Sequence, residues 1–424
     1  MCSSDLRPEH DETIRLVHVE AHAIGRGDEL LARSILQRDS VDGEERPFLH
    51  GGREYTLALS AGGAGLGPAN RSRVAGVSTE IKEKPPHAQL FEMLFGAWTA
   101  KILAEVVRLN VPDALEKGAM TADELVHRAG IHAHPVALHR ALRACAALGI
   151  VSEDASGRFG PTRLSHLLTR NAAGTLKRFV EYSGGLLWKV WGGLPEGLAT
   201  SKPQARAQLG MDFFDYLSAH PKSLEEFGAV VEAHSAVTNR GVLERYDFGG
   251  IRKLVDVGAG FGLLVTAVLE RHPEMHGVVF DLPPVIEVAP KQAPVRDADV
   301  ARRLEYAAGD MFTEVPAADA YVLKLIFHDW DDARCALLLS NVVARLERGG
   351  RVIVVDTVLP PLGDTSDVPS KLLDVNMMLL LPGKERTRVE WEALFRGAGL
   401  AITAMIPVPD AFNTFVIEAR RAQD

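Results

Sequence analysis

The apolar run Leu254-Val255-Asp256-Val257 breaks into Gly258-Ala259-Gly260-Phe261-Gly262 and then into a periodic apolar stretch, Leu263 to Arg271. This strand–turn–helix order constrains the chain more than any other feature. It is the opening unit of a doubly wound sheet, where ligands bind beyond the carboxyl ends of the strands. Glycines in such a turn allow positive φ and close approach of the backbone to a ligand. The alternation continues from about Tyr246 onward. Lys253 to Val257, Gly277 to Asp281, Leu304 to Ala308, Tyr321 to Phe327, Arg351 to Val355, Ala401 to Ile406 and Thr414 to Glu418 read as seven strands. Leu263 to Arg271, Ala333 to Leu346 and Arg388 to Ala398 read as the helices between them. The expected fold class is α/β, a Rossmann-like doubly wound sheet over residues 246–424.

A different pattern precedes it. Gln89 to Leu109 carries Phe91, Leu94, Phe95, Trp98, Ile102 and Val106 near helical spacing. Thr121 and Glu124 form a capping box for the next helix, and a further helix runs from about Pro135 to Leu148. Ile150 to Asp154 and Arg158 to Gly160 flank Ala155-Ser156-Gly157 as a hairpin. Helices followed by a hairpin make a winged helix, expected over residues 85–178. Residues 179–245 read as a helical linker and pocket region, with helices from Phe179 to Ala199 and Phe213 to His234. Residues 1–84 read as an irregular, glycine-interrupted extension, expected to be dispensable for activity. Short strands are placed in it at Ile14 to Val19 and Tyr55 to Leu59.

The net charge of −9 argues against a general nucleic-acid or acidic-membrane partner, although Arg140 and Arg143 lie on the winged-helix segment. A packing or dimerisation module, giving a homodimer, is the expected role of that segment. The three cysteines, Cys2, Cys145 and Cys335, form neither a CxxC pair nor a zinc spacing, as in a reducing cytoplasm. No apolar run is long enough for a bilayer, and the first residues are unlike a secretory signal, so a cytoplasmic protein is expected.

The chemistry is read from strand ends. Asp281 follows the glycine turn by about 20 residues, where an acid holds ribose hydroxyls. The third glycine of a dinucleotide fingerprint would fall at Leu263. Asp256 would repel a pyrophosphate but attract an ammonium group, which favours S-adenosylmethionine over NAD. Gly309-Asp310-Met311-Phe312 suits an adenine, with an acid for its amine and apolar groups for its face. A lone histidine usually caps a strand, but His328 follows the apolar run Leu323 to Phe327 and precedes two downstream acids. There it is placed to move a proton near neutral pH.

Asp256 to Gly262, Val279-Phe280-Asp281-Leu282-Pro283, Gly309 to Phe312, Lys324 to Trp330 and Gly383-Lys384-Glu385-Arg386-Thr387 occur in that order. From Pro85 onward the chain resembles S-adenosylmethionine-dependent O-methyltransferases of the caffeate, acetylserotonin and bacterial polyketide-tailoring type. The resemblance implies a dimerising winged helix and a hydroxylated small-molecule acceptor. It places Asp256, Gly258, Gly260, Asp281, Leu282, Asp310, Met311 and Lys324 at the donor. It makes His328 the general base, flanked by Asp356 and Glu385, and sets Asn376, Met377, Leu380 and Leu381 along the acceptor pocket. The first flanking acid is commonly glutamate in the plant enzymes. Asp356 is one methylene shorter, and Asp329 is the alternative support. Without the resemblance, Glu385 would read as a solvated loop charge between Lys384 and Arg386.

A phenol has a pKa of about 10 and histidine about 6.5, so proton removal is expected to accompany attack rather than precede it. No metal site is expected. His132 and His134 lack a third ligand, and Asp329, Asp331 and Asp332 read as a solvated helix start. Three other readings stay open at this stage: a family member using the donor for decarboxylation or hydroxylation, an NAD-dependent dehydrogenase, and a winged-helix regulator.

Overall fold

The structure, a computed structural model, describes residues 46–50, 53–57, 84–410 and 412–423. The chain divides into two units, residues 1–95 and 96–424. In the first, β1 (Arg46–His50) pairs antiparallel with β2 (Arg53–Leu57), His50 facing Arg53. The strand expected at Tyr55 to Leu59 overlaps β2 over residues 55–57, and its last two residues lie outside the described residues. The one expected at Ile14 to Val19 lies outside the described residues. A helix runs Pro86–Arg108.

In the second unit the capping box forms as expected. The Glu124 N–H donates to Thr121 Oγ1 at 3.2 Å, and the Glu124 carboxylate accepts the Thr121 N–H at 2.9 Å. Helices Ala122–His127 and Pro135–Ala147 are followed by the hairpin β3 (Ser152–Glu153) and β4 (Phe159–Gly160). Val107, Leu115, Leu125, Leu142, Cys145 and Phe159 form one apolar core beneath them.

The two long helices expected next are broken. Lys177–Tyr182 passes through a π-helical turn, Ser183–Leu187, into Trp188–Trp191, and Leu194–Thr200 follows. Gly184-Gly185 and Gly192-Gly193-Leu194-Pro195 lie at these breaks. A Cβ on Gly184 would collide with the Ala104 side chain, so the π turn packs closely on the preceding helix. Pro221 likewise separates Phe213–Ala219 from Pro221–Arg245, because its ring lacks an N–H for a continuing helix.

The sheet is built from β5 (Lys253–Val257), β6 (His276–Asp281), β7 (Leu304–Ala308), β8 (Ala318–Lys324), β9 (Leu346–Leu359), β10 (Arg386–Thr387), β11 (Leu400–Pro407) and β12 (Thr414–Arg421). Its order is β11-β12-β9-β8-β5-β6-β7, with the two-residue β10 added in parallel to β9. β9, β8, β5, β6 and β7 are parallel, and β12 is antiparallel to both neighbours. Side chains alternate between two cores as a pleated strand requires. Val255, Val257, Tyr321, Leu323, Val352 and Val354 meet helices Asp332–Arg345 and Arg388–Gly397 on one face. Leu254, Ala320, Val322, Ile353 and Val355 meet helix Leu263–Arg271 on the other. The chain leaves β5 toward β6 and β7, then returns to place β8 on β5's other side. That reversal opens a crevice at the carboxyl ends of β5 and β8.

Candidate active site

The donor end of the crevice follows from the glycine turn. Gly258, Gly260 and Gly262 all have positive φ, at 68°, 56° and 78°. A Cβ on Gly258 would strike Ile326, whereas one on Gly260 would meet nothing within 4 Å. The turn is therefore closed against the segment that follows β8 and open at Gly260. Asp281, ending β6, accepts the Gly260 N–H at 2.8 Å and the Leu282 N–H at 2.7 Å, and its carbonyl accepts Gly309 N–H at 3.0 Å. Three successive parallel strand ends are thereby tied together. Leu282 is exposed, Met311 is half-buried against the core, and the Asp310 carboxylate accepts the Phe312 N–H at 2.9 Å.

Asp256 is buried in β5, and its Oδ2 has no hydrogen-bond partner among the described residues. Burial pushes its carboxyl up to about 7, with Lys324 acting in the opposite direction. Lys324 Nζ donates to Ser235 Oγ at 2.7 Å. Burial lowers its pKa, and Asp256 and Asp356 hold charge on it from the two sides. This lysine thus stands electrostatically between Asp256 and Asp356, the acid next to the histidine.

The base end begins where β8 stops. The expected strand through Phe327 ends at Lys324, because Leu325 takes a left-handed φ of 54°. Such a backbone is costly for leucine and is held here by the Leu325 N–H donating to Val355 O at 2.9 Å. The chain turns into the 3-10 helix Phe327–Asp329, which carries His328. Asp356 lies in β9, and its Oδ2 accepts the His328 backbone N–H at 3.3 Å. Glu385 arrives by a different route. β10 pairs with β9 so that Arg386 faces Val358, which brings the preceding residue, Glu385, alongside β9 one position past Asp356.

The result is one cluster. His328 Nδ1 lies 3.0 Å from Glu385 Oε1 and 3.6 Å from Asp356 Oδ1. Its Nε2 lies 3.6 Å from Asp329 Oδ1. An ionised carboxylate only accepts, so the bond to Glu385 places a proton on Nδ1 and leaves Nε2 as the nitrogen that can lose its proton. Burial opposes charge on the imidazole, but Asp356, Glu385 and Asp329 outweigh it and push His328 up to about 10. Burial raises Asp356 and Glu385, and the imidazolium pulls both back down. Asp329 is pushed up to about 7 for the same first reason.

His328, Asp356 and Glu385 also offer metal-type donors within 4.8 Å of one another. The three residues expected around the base are thus brought together, and Asp356 and Asp329 both face the ring on opposite nitrogens. The pocket residues are placed differently. Met377, Leu380 and Leu381 are buried in an apolar cluster with Tyr182, Val190 and Phe213. Asn376 is half-buried, and its Oδ1 accepts the Trp191 Nε1–H at 3.0 Å.

Sequence reasoning left several contributors unassigned. A Cβ on Gly383 would run into the His328 carbonyl oxygen, so only glycine lets this loop approach the turn. Asp374, on helix Val368–Leu380, accepts the Glu385 N–H at 2.9 Å. Ser235 anchors Lys324. Gly383 and Arg386 stood inside a quoted motif, but nothing in the motif tells a buried loop arginine from a solvated one.

The sequence matches the family profile of the O-methyltransferase domain over residues 191–401 and that of the O-methyltransferase dimerisation domain over residues 91–171. It is 31% identical over 339 residues to a phenazine O-methyltransferase of Lysobacter antibioticus, covering 79% of this chain and 96% of that protein. It is 34% identical over 376 residues to an O-demethylpuromycin-O-methyltransferase of Streptomyces alboniger, covering 86% and 98%. Among solved structures, it superposes with a TM-score of 0.67 on an O-methyltransferase from neocarzinostatin biosynthesis, bound to S-adenosylmethionine and 2-hydroxy-5-methyl naphthoic acid. That match has 27% identity and covers 76% of this chain and 96% of that one.

Proposed function

This chain belongs to the O-methyltransferase family, and from that premise we propose that it methylates a hydroxyl of an aromatic or polyketide-like small molecule from S-adenosylmethionine, with His328 as general base. The observation that carries the reading is the histidine itself. Two buried carboxylates hold Nδ1, and Nε2, on the other side of the ring, is the nitrogen we assign to the acceptor hydroxyl.

The donor end fits the cofactor. The unpartnered Asp256 Oδ2 suits an ammonium group, the open side of Gly260 admits a ligand against the backbone, and Asp281 offers acceptors for ribose hydroxyls. Leu282, Asp310 and Met311 supply the adenine side, and Lys324 links the two ends. The bound donor supplies an electrophilic methyl group. The protein's part is to align the acceptor oxygen and take its proton. Here the carboxylates change the starting comparison. A phenol near pKa 10 and an imidazole held near 10 are matched, so proton transfer between them is close to thermoneutral. The accompanying cost is that few molecules carry a neutral His328 at neutral pH. Turnover is expected to climb as pH rises and to level off only at about 10, where His328 loses its proton.

The layout we propose is a winged helix over residues 85–178, a helical region over 179–245 and the catalytic sheet over 246–424. Exposed Leu90, Phe91, Met93 and Leu94 on helix Pro86–Arg108 support a homodimer through the dimerisation segment. Asn376, Met377 and Leu380, on helix Val368–Leu380, and Leu381, just beyond its end, are expected to flank the acceptor. No helix among the described residues is long and apolar enough to cross a membrane. The buried free thiols Cys145 and Cys335 support a cytoplasmic setting.

The test is incorporation of labelled methyl from S-adenosylmethionine across a panel of hydroxylated aromatics, with melting temperatures measured beside it. S-adenosylhomocysteine should raise the melting temperature and NAD should not, since only a ligand of the native state stabilises it. Stabilisation by NAD alone, with no methyl incorporation, would overturn the reading.

A further inference from the structure

We propose that Arg386 is a positioning residue that fixes the turn carrying His328 against the strand carrying Glu385. The proposal rests on the methyltransferase reading above. Arg386 is almost fully buried although it lies in a loop-derived, two-residue strand. Its Nη1 donates to Phe327 O at 2.8 Å and its Nη2 to Trp330 O at 2.9 Å. Those carbonyls bracket His328 and Asp329. Nε and Nη2 also reach Asp332 Oδ1, at 3.1 and 2.8 Å, where helix Asp332–Arg345 begins. The guanidinium lies over the Trp391 ring, 5.6 Å from its centroid.

The other end of the residue is equally fixed. Its backbone pairs with β9 at Val358, and its preceding neighbour is Glu385, which bonds His328 Nδ1. One side chain therefore spans from the strand that orients the ring to the turn that carries it. If it is removed, the side-chain donor left to Phe327 O and Trp330 O among the described residues is the Cys335 thiol, a weak donor at 3.4 Å from each. The charge works in the same direction. Arg386 helps keep Asp356 ionised, opposing the effect of burial.

Lysine keeps the charge but lacks the planar fork that serves two carbonyls and a carboxylate together. Arg386→Lys therefore separates geometry from charge. Single-turnover methyl transfer, acceptor KM and S-adenosylhomocysteine affinity are measured on wild type, Arg386→Lys and Arg386→Ala. Arg386→Lys should lose roughly 100-fold in turnover, as for a displacement of about 1 Å at the reacting groups. Donor affinity and acceptor KM should stay within about twofold, since neither ligand touches the fork. Free guanidinium should restore part of the turnover of Arg386→Ala, and methylammonium should not. If the alanine variant does not fold, Asp332→Asn replaces it and should reduce turnover less, at unchanged donor affinity. Wild-type turnover in Arg386→Lys, or a fall matched by an equal loss of donor affinity, would overturn the proposal. A wild type that transfers no methyl group would overturn the functional reading instead.

Discussion

The donor end of the site is assembled from neighbours in the sheet, whereas the base end is assembled across long stretches of chain. Gly260 and Asp281 lie 21 residues apart at the carboxyl ends of neighbouring parallel strands, and one bond joins them. His328 meets Asp356 across 28 residues and Glu385 across 57, through a left-handed leucine, a two-residue strand and a buried arginine. The difference has a physical consequence. A glycine turn is a backbone device, so local substitutions there should alter grip on the donor. The histidine turn is held from outside, so substitutions remote in sequence should alter the rate without altering that grip.

The largest expected effect tests the second half of that contrast. Gly383→Ala places a methyl group against the His328 carbonyl oxygen and 2.5 Å from the Asp329 carbonyl carbon. Turnover should fall by roughly 100-fold through displacement of the turn, with S-adenosylhomocysteine affinity unchanged by calorimetry. An equal loss of both would merge the two ends into one unit.

Asp281→Ala tests the first half. It removes a carboxylate that orders the turn and that we propose binds the donor ribose. The expected loss of donor affinity is about 10- to 100-fold, the range for hydrogen bonds to a charged group. Single-turnover rate at saturating donor should stay near wild type. An unaltered dissociation constant would reduce Asp281 to a strand-end cap.

A smaller effect sharpens the electrostatics. Burial holds Asp256 near 7, so raising the pH through that value ionises it and should strengthen binding of the ammonium-bearing S-adenosylhomocysteine. Affinity should rise by up to about tenfold between pH 6 and 8, and Asp256→Asn should abolish that slope. A slope that persists in the variant would assign the titration to another group.

The smallest effect concerns Asp329, whose charge helps keep the proton on His328. Asp329→Asn should lower the imidazole pKa, so the rising limb of the turnover profile should move to lower pH by less than about one unit. Turnover itself should change only a few-fold. A shift to higher pH would contradict the sign of this interaction.

The same contrast explains what the sequence made legible. β5, its glycine turn and helix Leu263–Arg271 were readable because pattern, turn and period are contiguous there. β5 and helix Leu263–Arg271 fall on their expected boundaries for that reason. His328 was readable by position, but not as part of a 3-10 turn, since no local signal announces a left-handed leucine. The helices expected at Phe179 and Phe213 failed at Gly184-Gly185 and Pro221, where local breakers overrode a sustained apolar pattern. Glu385 was identified through its family resemblance, because its burial depends on β10 and β9, which are distant in the chain. Arg386 was not assigned a role at all. A charged residue among charged neighbours reads as solvated until tertiary structure closes over it.

The central claim is that grip on the donor and removal of the proton reside in separable halves of one site. His328→Ala tests it most directly, with single-turnover methyl transfer and donor affinity measured on the same preparation. The account predicts a loss of roughly 100-fold or more in rate, the usual contribution of a general base, at nearly wild-type donor affinity. Near-wild-type rates across the pH range, or a collapse of donor affinity equal to the loss in rate, would contradict it.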